Sequence, residues 1–242
     1  SGLQTTAIGG SGNSATGNRS AVIAGNTNIA GGYRATVLGG TNHSALGQST
    51  VLAGGEGNLA TDTSAGVFAG STNSATGVRS VVIGGSTNVA GANDASTVGG
   101  NGNSALGAQS TVIGGQNNDV IGQWAGSLGG VANGITGAAS VLVGGAFNTI
   151  GGPGIFIGGG RDHGATGAFS TLLGGRNSQC HATDSGILAG IANTIGGISP
   201  QSVILGGATG SISTATGAAI VGGGYHSISQ SSNAVIAGGA TG

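Results

Sequence analysis

The sequence predicts an all-β protein, a parallel β-solenoid of about sixteen coils built on a 15-residue repeat. From Ser11 to Gly190 the chain divides without gaps into twelve consecutive 15-residue units, among them SGNSATGNRSAVIAG, STNSATGVRSVVIGG and NGNSALGAQSTVIGG. The composition is that of no ordinary soluble domain, with 58 Gly in 242 residues and 5% charged residues, against roughly 25% as a norm. Apolar residues also return at a fixed phase, which neither a Gly/Ser linker nor a disordered segment has reason to maintain. Gly does not recur every third residue, so collagen is excluded. A 15-residue unit is too short for a helical hairpin, and its regular Gly would weaken any helix.

Numbered 1 to 15, the unit reads x-x-N-x-A-x-G-x-x-S-x-V-I-G-G. Two short strands fit it, around positions 3 to 6 and 10 to 13, with turns at 7 to 9 and 14 to 2 where Gly can adopt positive φ. The charges support this division independently. Arg19, Arg34, Glu56, Arg79, Asp94, Arg161, Asp162, Arg176 and Asp184 all fall at positions 1, 2 or 9, and only Asp62 and Asp119 do not. Position 3 is Asn in nine of the twelve units, with His43, His163 and Ser178 as exceptions, and stacked Asn can bond along the ladder. Positions 5, 10 and 12 are expected to fill a narrow interior. After Gly190 come two longer units, Ile191 to Gly207 and Ala208 to Gly224, each exceeding the regular length by two, before a regular unit ends at Gly239. The expected organisation is one repeat domain over 1–242, regular over 11–190 and looser over 191–242.

Side chains alternate between the two faces of a strand, yet Val82 and Ile83 are neighbours and both apolar. With position 12 inward, position 13 faces out. The result is a stripe of Ile23, Leu38, Phe68, Ile83, Val98, Ile113, Leu128, Val143, Leu173 and Leu188. Such a strip exceeds what a soluble monomer leaves wet. The expected cover is further copies of the same chain, arranged parallel about an axis so that identical stripes meet coil by coil.

The segments ATGNRSAVIAG (Ala15 to Gly25), ATGVRSVVIGG (Ala75 to Gly85) and ALGAQSTVIGG (Ala105 to Gly115) resemble the head repeats of YadA-like trimeric autotransporter adhesins. The resemblance covers essentially the whole chain. It implies a left-handed parallel β-roll, a homotrimer, a place on an extracellular cell surface or virion surface, and attachment to a host-surface receptor or glycan. The period here is 15 where the family has 14, and position 12 is larger than the family's Ala. The chain begins and ends inside the repeat, so a piece of a longer fibre protein is expected. The halves xxNxAxG and xxSxVxGG are also similar to the grass ice-binding proteins, which makes an ice-binding solenoid the alternative reading. Its Thr ladder at position 6 (Thr16, Thr61, Thr76, Thr136, Thr166) is interrupted by Gly31, Leu46, Gly91, Leu106 and Ile121.

Five Arg and no Lys cannot neutralise a run of phosphates, so no nucleic-acid partner is expected. No apolar run reaches membrane-spanning length, so no direct membrane insertion by this segment is expected. Cys180 is alone, and no zinc spacing, EF-hand loop or nucleophile elbow occurs, so no cofactor, metal or catalytic residue is assigned. A polysaccharide depolymerase would need two carboxylates at a set separation, whereas Asp162 in RDHG and Asp184 belong to opposite edges. An enzyme is therefore not expected. His43 and His163 replace ladder Asn, while His181 and His226 are expected near edges without a recognisable partner. Tyr33, Trp124 and Phe169 lie on the 7-to-9 edge, where rings could stack on sugars or a receptor.

Overall fold

The computed structural model describes residues 4–239. Residues 1–3 and 240–242, the two ends of the expected domain, lie outside the described residues. The chain divides between Val120 and Ile121 into two compact units. Every regular element among the described residues is a β-strand of two or three residues.

In the first unit each coil supplies one strand to each of two parallel sheets. Positions 11 to 13 build the first sheet, as in Ala21–Ile23, Val51–Ala53, Val81–Ile83 and Thr111–Ile113. Positions 4 and 5 build the second, as in Ser44–Ala45, Ser74–Ala75 and Ser104–Ala105. The pairing slips by one whole repeat and no more: Val82 lies opposite Val67 and Thr97, and Ala75 opposite Ala60 and Ala90. Like positions therefore stack on like, which keeps each face chemically constant along the unit. The second unit is built the same way, from strands such as Val141–Leu142 and Thr171–Leu172 in the first sheet and Thr149–Ile150 and Gln179–Cys180 in the second. A third, minor ladder runs through position 1, linking Ser11, Asn26, Thr41 and Glu56 by single bridges. The fold is thus the all-β parallel solenoid that the repeat predicts.

The interior is as narrow as expected. Val22, Val37, Leu52, Val67 and Val82 at position 12 and Ala30, Ala45, Ala60 and Ala75 at position 5 are fully buried. Position 10 is buried too, with Ser or Thr alternating with Ala in the first unit. In the second unit Ile135, Ile150 and Ile195 replace Ala at position 5, giving that interior more apolar bulk. Ser127 stands at position 12 in the strand just before that of Ile135, so a large residue on one sheet accompanies a small one on the other.

The turns are tighter than Gly alone explains. Non-Gly residues hold the left-handed conformation at position 9 (Arg19 at φ 60°, Arg79 at 55°) and at position 2 (Thr27 at 56°, Thr87 at 56°). That conformation costs about 1–2 kcal/mol for an L-residue, and a backbone bond to the preceding coil offsets it, as in Arg79 N–H to the Thr63 carbonyl at 2.9 Å and Thr87 N–H to the Ser71 carbonyl at 2.9 Å. The Gly at position 7, by contrast, does not take positive φ. A Cβ on Gly17 or Gly32 would overlap the backbone of the next coil. The expected reason for that Gly is corrected from backbone freedom to close approach.

The coils after Gly190 also differ from expectation. Gly186 pairs with Val203, Val203 with Ala219 and Ala219 with Val235. The register therefore steps once by 17 and then twice by 16, where the sequence predicts steps of 17, 17 and 15. All the extra residues enter the turn between the second-sheet strand and the next first-sheet strand, where Ile198 and Pro200 lie.

Position 15 is Gly in every regular coil, while position 14 admits Ala24, Ala69 and Ala189. Gly84 has φ +67° and open space where a methyl group would stand, whereas a methyl on Gly85 would strike the Asn88 side chain and the Gly100 carbonyl. Gly84→Ala is expected to lower stability by about 1 kcal/mol, and Gly85→Ala by about 3 kcal/mol or more. Thermal and urea denaturation of the two variants side by side check the order.

Candidate functional site

Three surfaces carry chemistry. On the outer side of the first sheet, Ile23, Leu38, Phe68, Ile83 and Ile113 in the first unit each remain between 43% and 49% exposed. Val98 shares the row and is half-buried. In the second unit Leu128, Val143, Leu173 and Leu188 at position 13 form that unit's own outward row, which Gly158 interrupts. Strand alternation alone sets this arrangement, because Val82 and Ile83 must point to opposite sides. Position 11 broadens the face with half-buried Val51, Val81 and Val141 and exposed Phe156. The face carries no titratable group at either position among the described residues.

The edge at positions 7 to 9 holds the three aromatic candidates. Tyr33 lies in the first unit, beneath the Arg34 guanidinium at 5.0 Å, and its hydroxyl accepts a 3.3 Å bond from Arg19. Trp124 and Phe169 lie in the second unit, 59% and 65% exposed, both in left-handed backbone at position 9. Ala139 and Gly154 separate them along the edge, a span of about 14 Å at the ordinary strand spacing. Within the second unit, Trp124 and Phe169 do not meet in one site.

The third surface is the outer side of the second sheet, lined by positions 4 and 6. In the second unit it contains a cavity of about 300 Å³ between Phe147, Thr149, Asp162, Gly164, Thr166, Gln179 and His181. Gly164 has no side chain between Thr149 and Gln179, its neighbours in the ladder, and so leaves room for the Gln179 side chain to lean over it. The Gln179 amide folds across Gly164. His181 has a partner, which corrects the expectation of a lone edge residue: its Nδ1 lies 2.8 Å from the Thr166 hydroxyl. His226 is corrected as well. With the coil before it one residue shorter than expected, it falls at position 3, and it is 2% exposed.

The position-3 ladder supplies the interior electrostatics. Asn73 accepts the Asn88 N–H at 3.0 Å and donates its amide to the carbonyls of Ala69 and Gly85. His43 keeps the accepting half, with Nδ1 receiving the Asn58 N–H at 3.1 Å, so Nε2 carries the ring proton. Nε2 has no hydrogen-bond partner, although the Gly54 and Gly55 carbonyls lie on its side. His163 repeats the pattern with the Ser178 N–H at 3.2 Å. Burial pushes both imidazoles below their ordinary value, outweighing the nearby carbonyls. Burial likewise pushes the Cys180 thiol up to about 11, which leaves it an inert core residue. Asp119, at position 4, has its carboxyl pushed up by burial, while the Arg79 guanidinium at 2.6 Å holds Asp94 below the usual carboxylate range.

The Phe147 cavity was the feature that reading single columns of the repeat missed. The signal lies in columns 4 and 6 taken together, where Thr149, Gly164 and Gln179 run beside Gly151, Thr166 and His181. No group of three or more His, Cys, Asp or Glu suited to a metal ion occurs among the described residues. In comparisons with known proteins, no family matches the chain and no curated protein matches it.

Below pH about 6.5 the unfolded chain protonates its His side chains while buried His43 and His163 stay neutral. Their contribution is therefore complete above that pH and is lost as pH falls toward their lower folded values. Asp119 acts with the opposite sign, since a raised carboxyl pKa favours the fold on the acid side. Replacing both rings, His43→Asn with His163→Asn, is expected to flatten the decline in melting temperature between pH 6.5 and 5, a window set by the ordinary imidazole value. Melting curves across that range for the wild type and the double variant test it.

Proposed function

We propose that the chain is a non-enzymatic structural and adhesive module of an extracellular surface fibre, bacterial or viral, working as a parallel homotrimer. The observation that carries this reading is the outward apolar row through Ile83 and Ile113 on the first sheet. Each such side chain gains about 1.5–3 kcal/mol on full burial, and the row's constant spacing suits only a partner with the same period. A parallel copy of this chain has that period by construction. The number three comes from the resemblance of ATGVRSVVIGG and its sister segments to the trimeric adhesin head repeats.

In this reading the partners are the chain itself and a host-surface receptor or glycan, with neither nucleic acid nor direct membrane insertion. Its place is the surface of a cell or virion. Against a depolymerase stands the pairing of Asp162 with Arg161 at 3.2 Å and the placement of Asp184 in the other turn, at position 9. Against ice binding stands the second-sheet face, where Leu46 and Leu106 lie over Gly31 and Gly91 and break the Thr row.

Light scattering on a dilute gel-filtration peak is expected to give a mass near three times 22.2 kDa. The double variant Ile83→Asp with Ile113→Asp is expected to give 22.2 kDa with an unchanged β-type circular dichroism spectrum. A wild-type mass of 22.2 kDa overturns the trimer and makes an ice-recrystallisation assay the next step.

A further inference from the structure

We propose that the cavity over Gly164 is a binding site for a neutral saccharide of one or two rings. The inference goes beyond the fibre reading and does not rest on it. The cavity opens on the second sheet, the face of the coil opposite the apolar row, so packing through that row leaves it accessible.

Its size and lining point to a sugar. A volume of about 300 Å³ stands at the lower end of small-molecule sites, enough for one or two rings and too small for a long chain in one pocket. The lining combines a hydroxyl and imidazole held together (Thr166 and His181, 2.8 Å), a carboxamide that both donates and accepts (Gln179), a second hydroxyl (Thr149) and a carboxylate (Asp162). One wall is the Phe147 ring, half exposed, against which the C–H face of a pyranose can lie. Vicinal hydroxyls bordered by a C–H face match this mixture. An apolar ligand would strand these polar groups.

Charge selects a neutral sugar. The Asp162 carboxylate is already met by Arg161 at 3.2 Å, and the Arg161 guanidinium lies over the Phe147 ring at 5.4 Å. No second Asp, Glu, Lys or Arg side chain lines the cavity. Asp162 keeps an oxygen able to accept a sugar hydroxyl, while its pairing leaves no free cation for an acidic sugar. Position 4 elsewhere carries Ile29, Leu59 or Val89 without disturbing the coil, so a large side chain is tolerated where Gly164 stands.

The test uses the full chain and saturation-transfer NMR with glucose, galactose, mannose, N-acetylglucosamine, lactose and maltose. Glucuronic acid and N-acetylneuraminic acid serve as anionic counterparts. Gly164→Leu puts a large side chain at the cavity from a residue outside the left-handed region, where the three atoms nearest the added carbon all belong to the movable Gln179 amide. Gln179→Ala removes one hydrogen-bonding group and keeps the cavity open. Transfer to at least one neutral sugar, abolished in Gly164→Leu and about tenfold weaker in Gln179→Ala, is the expected result. No transfer to any neutral sugar, transfer persisting in Gly164→Leu, or transfer to the acidic sugars alone overturns the proposal. Equal native mass for the wild type and Gly164→Leu separates a lost site from a changed assembly.

Discussion

Everything in this architecture hangs on the bonds that one coil makes to the next through the position-3 side chain. Asn88 shows the full set: its Oδ1 receives the Asn103 N–H, and its Nδ2 reaches the Gly84 carbonyl in its own turn and the Gly100 carbonyl one coil on. A single amide thus closes a turn and clamps it to its neighbour. Each bond is worth only about 1 kcal/mol net, but the same three recur at Asn28, Asn58, Asn73 and Asn103. The requirement spreads outward from there. The amide nitrogen and the next coil's carbonyl together occupy the space into which a Cβ at position 15 would project, which holds that position to Gly. Where His43 or His163 stands instead, the accepting half survives and the donating half is lost.

With the turns held this way, the strands need contribute little beyond alternation. Inward positions are constrained by a thin interior, and outward positions are constrained by nothing inside the coil. That separation lets the two outer faces diverge. The first sheet presents an apolar row, and the second a mixture of Ser, Thr, Gly and occasional large residues. The apolar face and the Phe147 cavity are therefore independent additions to one scaffold, and either could be altered without refolding the coil.

The fold class was legible because a 15-residue phase leaves few alternatives, and inward Val82 and outward Ile83 follow from strand alternation alone. What escaped depends on relations between coils. Gly17 looks like a turn residue in sequence, and only stacking reveals that the next coil's backbone lies against it. His226 was misplaced because a one-residue error in the length of the preceding coil moves it from a buried ladder to an edge. Arg79 and Thr87 in left-handed backbone carry no composition signal, since the bonds that stabilise them come from the preceding coil. The Gly164 cavity needed two columns compared at once, because a gap is defined by its neighbours.

The uniform register has a kinetic meaning as well. Nearly every coil bonds to a segment about one repeat away, so closing each new coil costs about the same loop entropy as the last. A completed coil presents a row of backbone donors and acceptors already spaced for the next. Growth from such an edge is templated, with the slow event confined to making the first stacked pair. Chain elongation after that point resembles crystal growth in one dimension more than the collapse of a globular core.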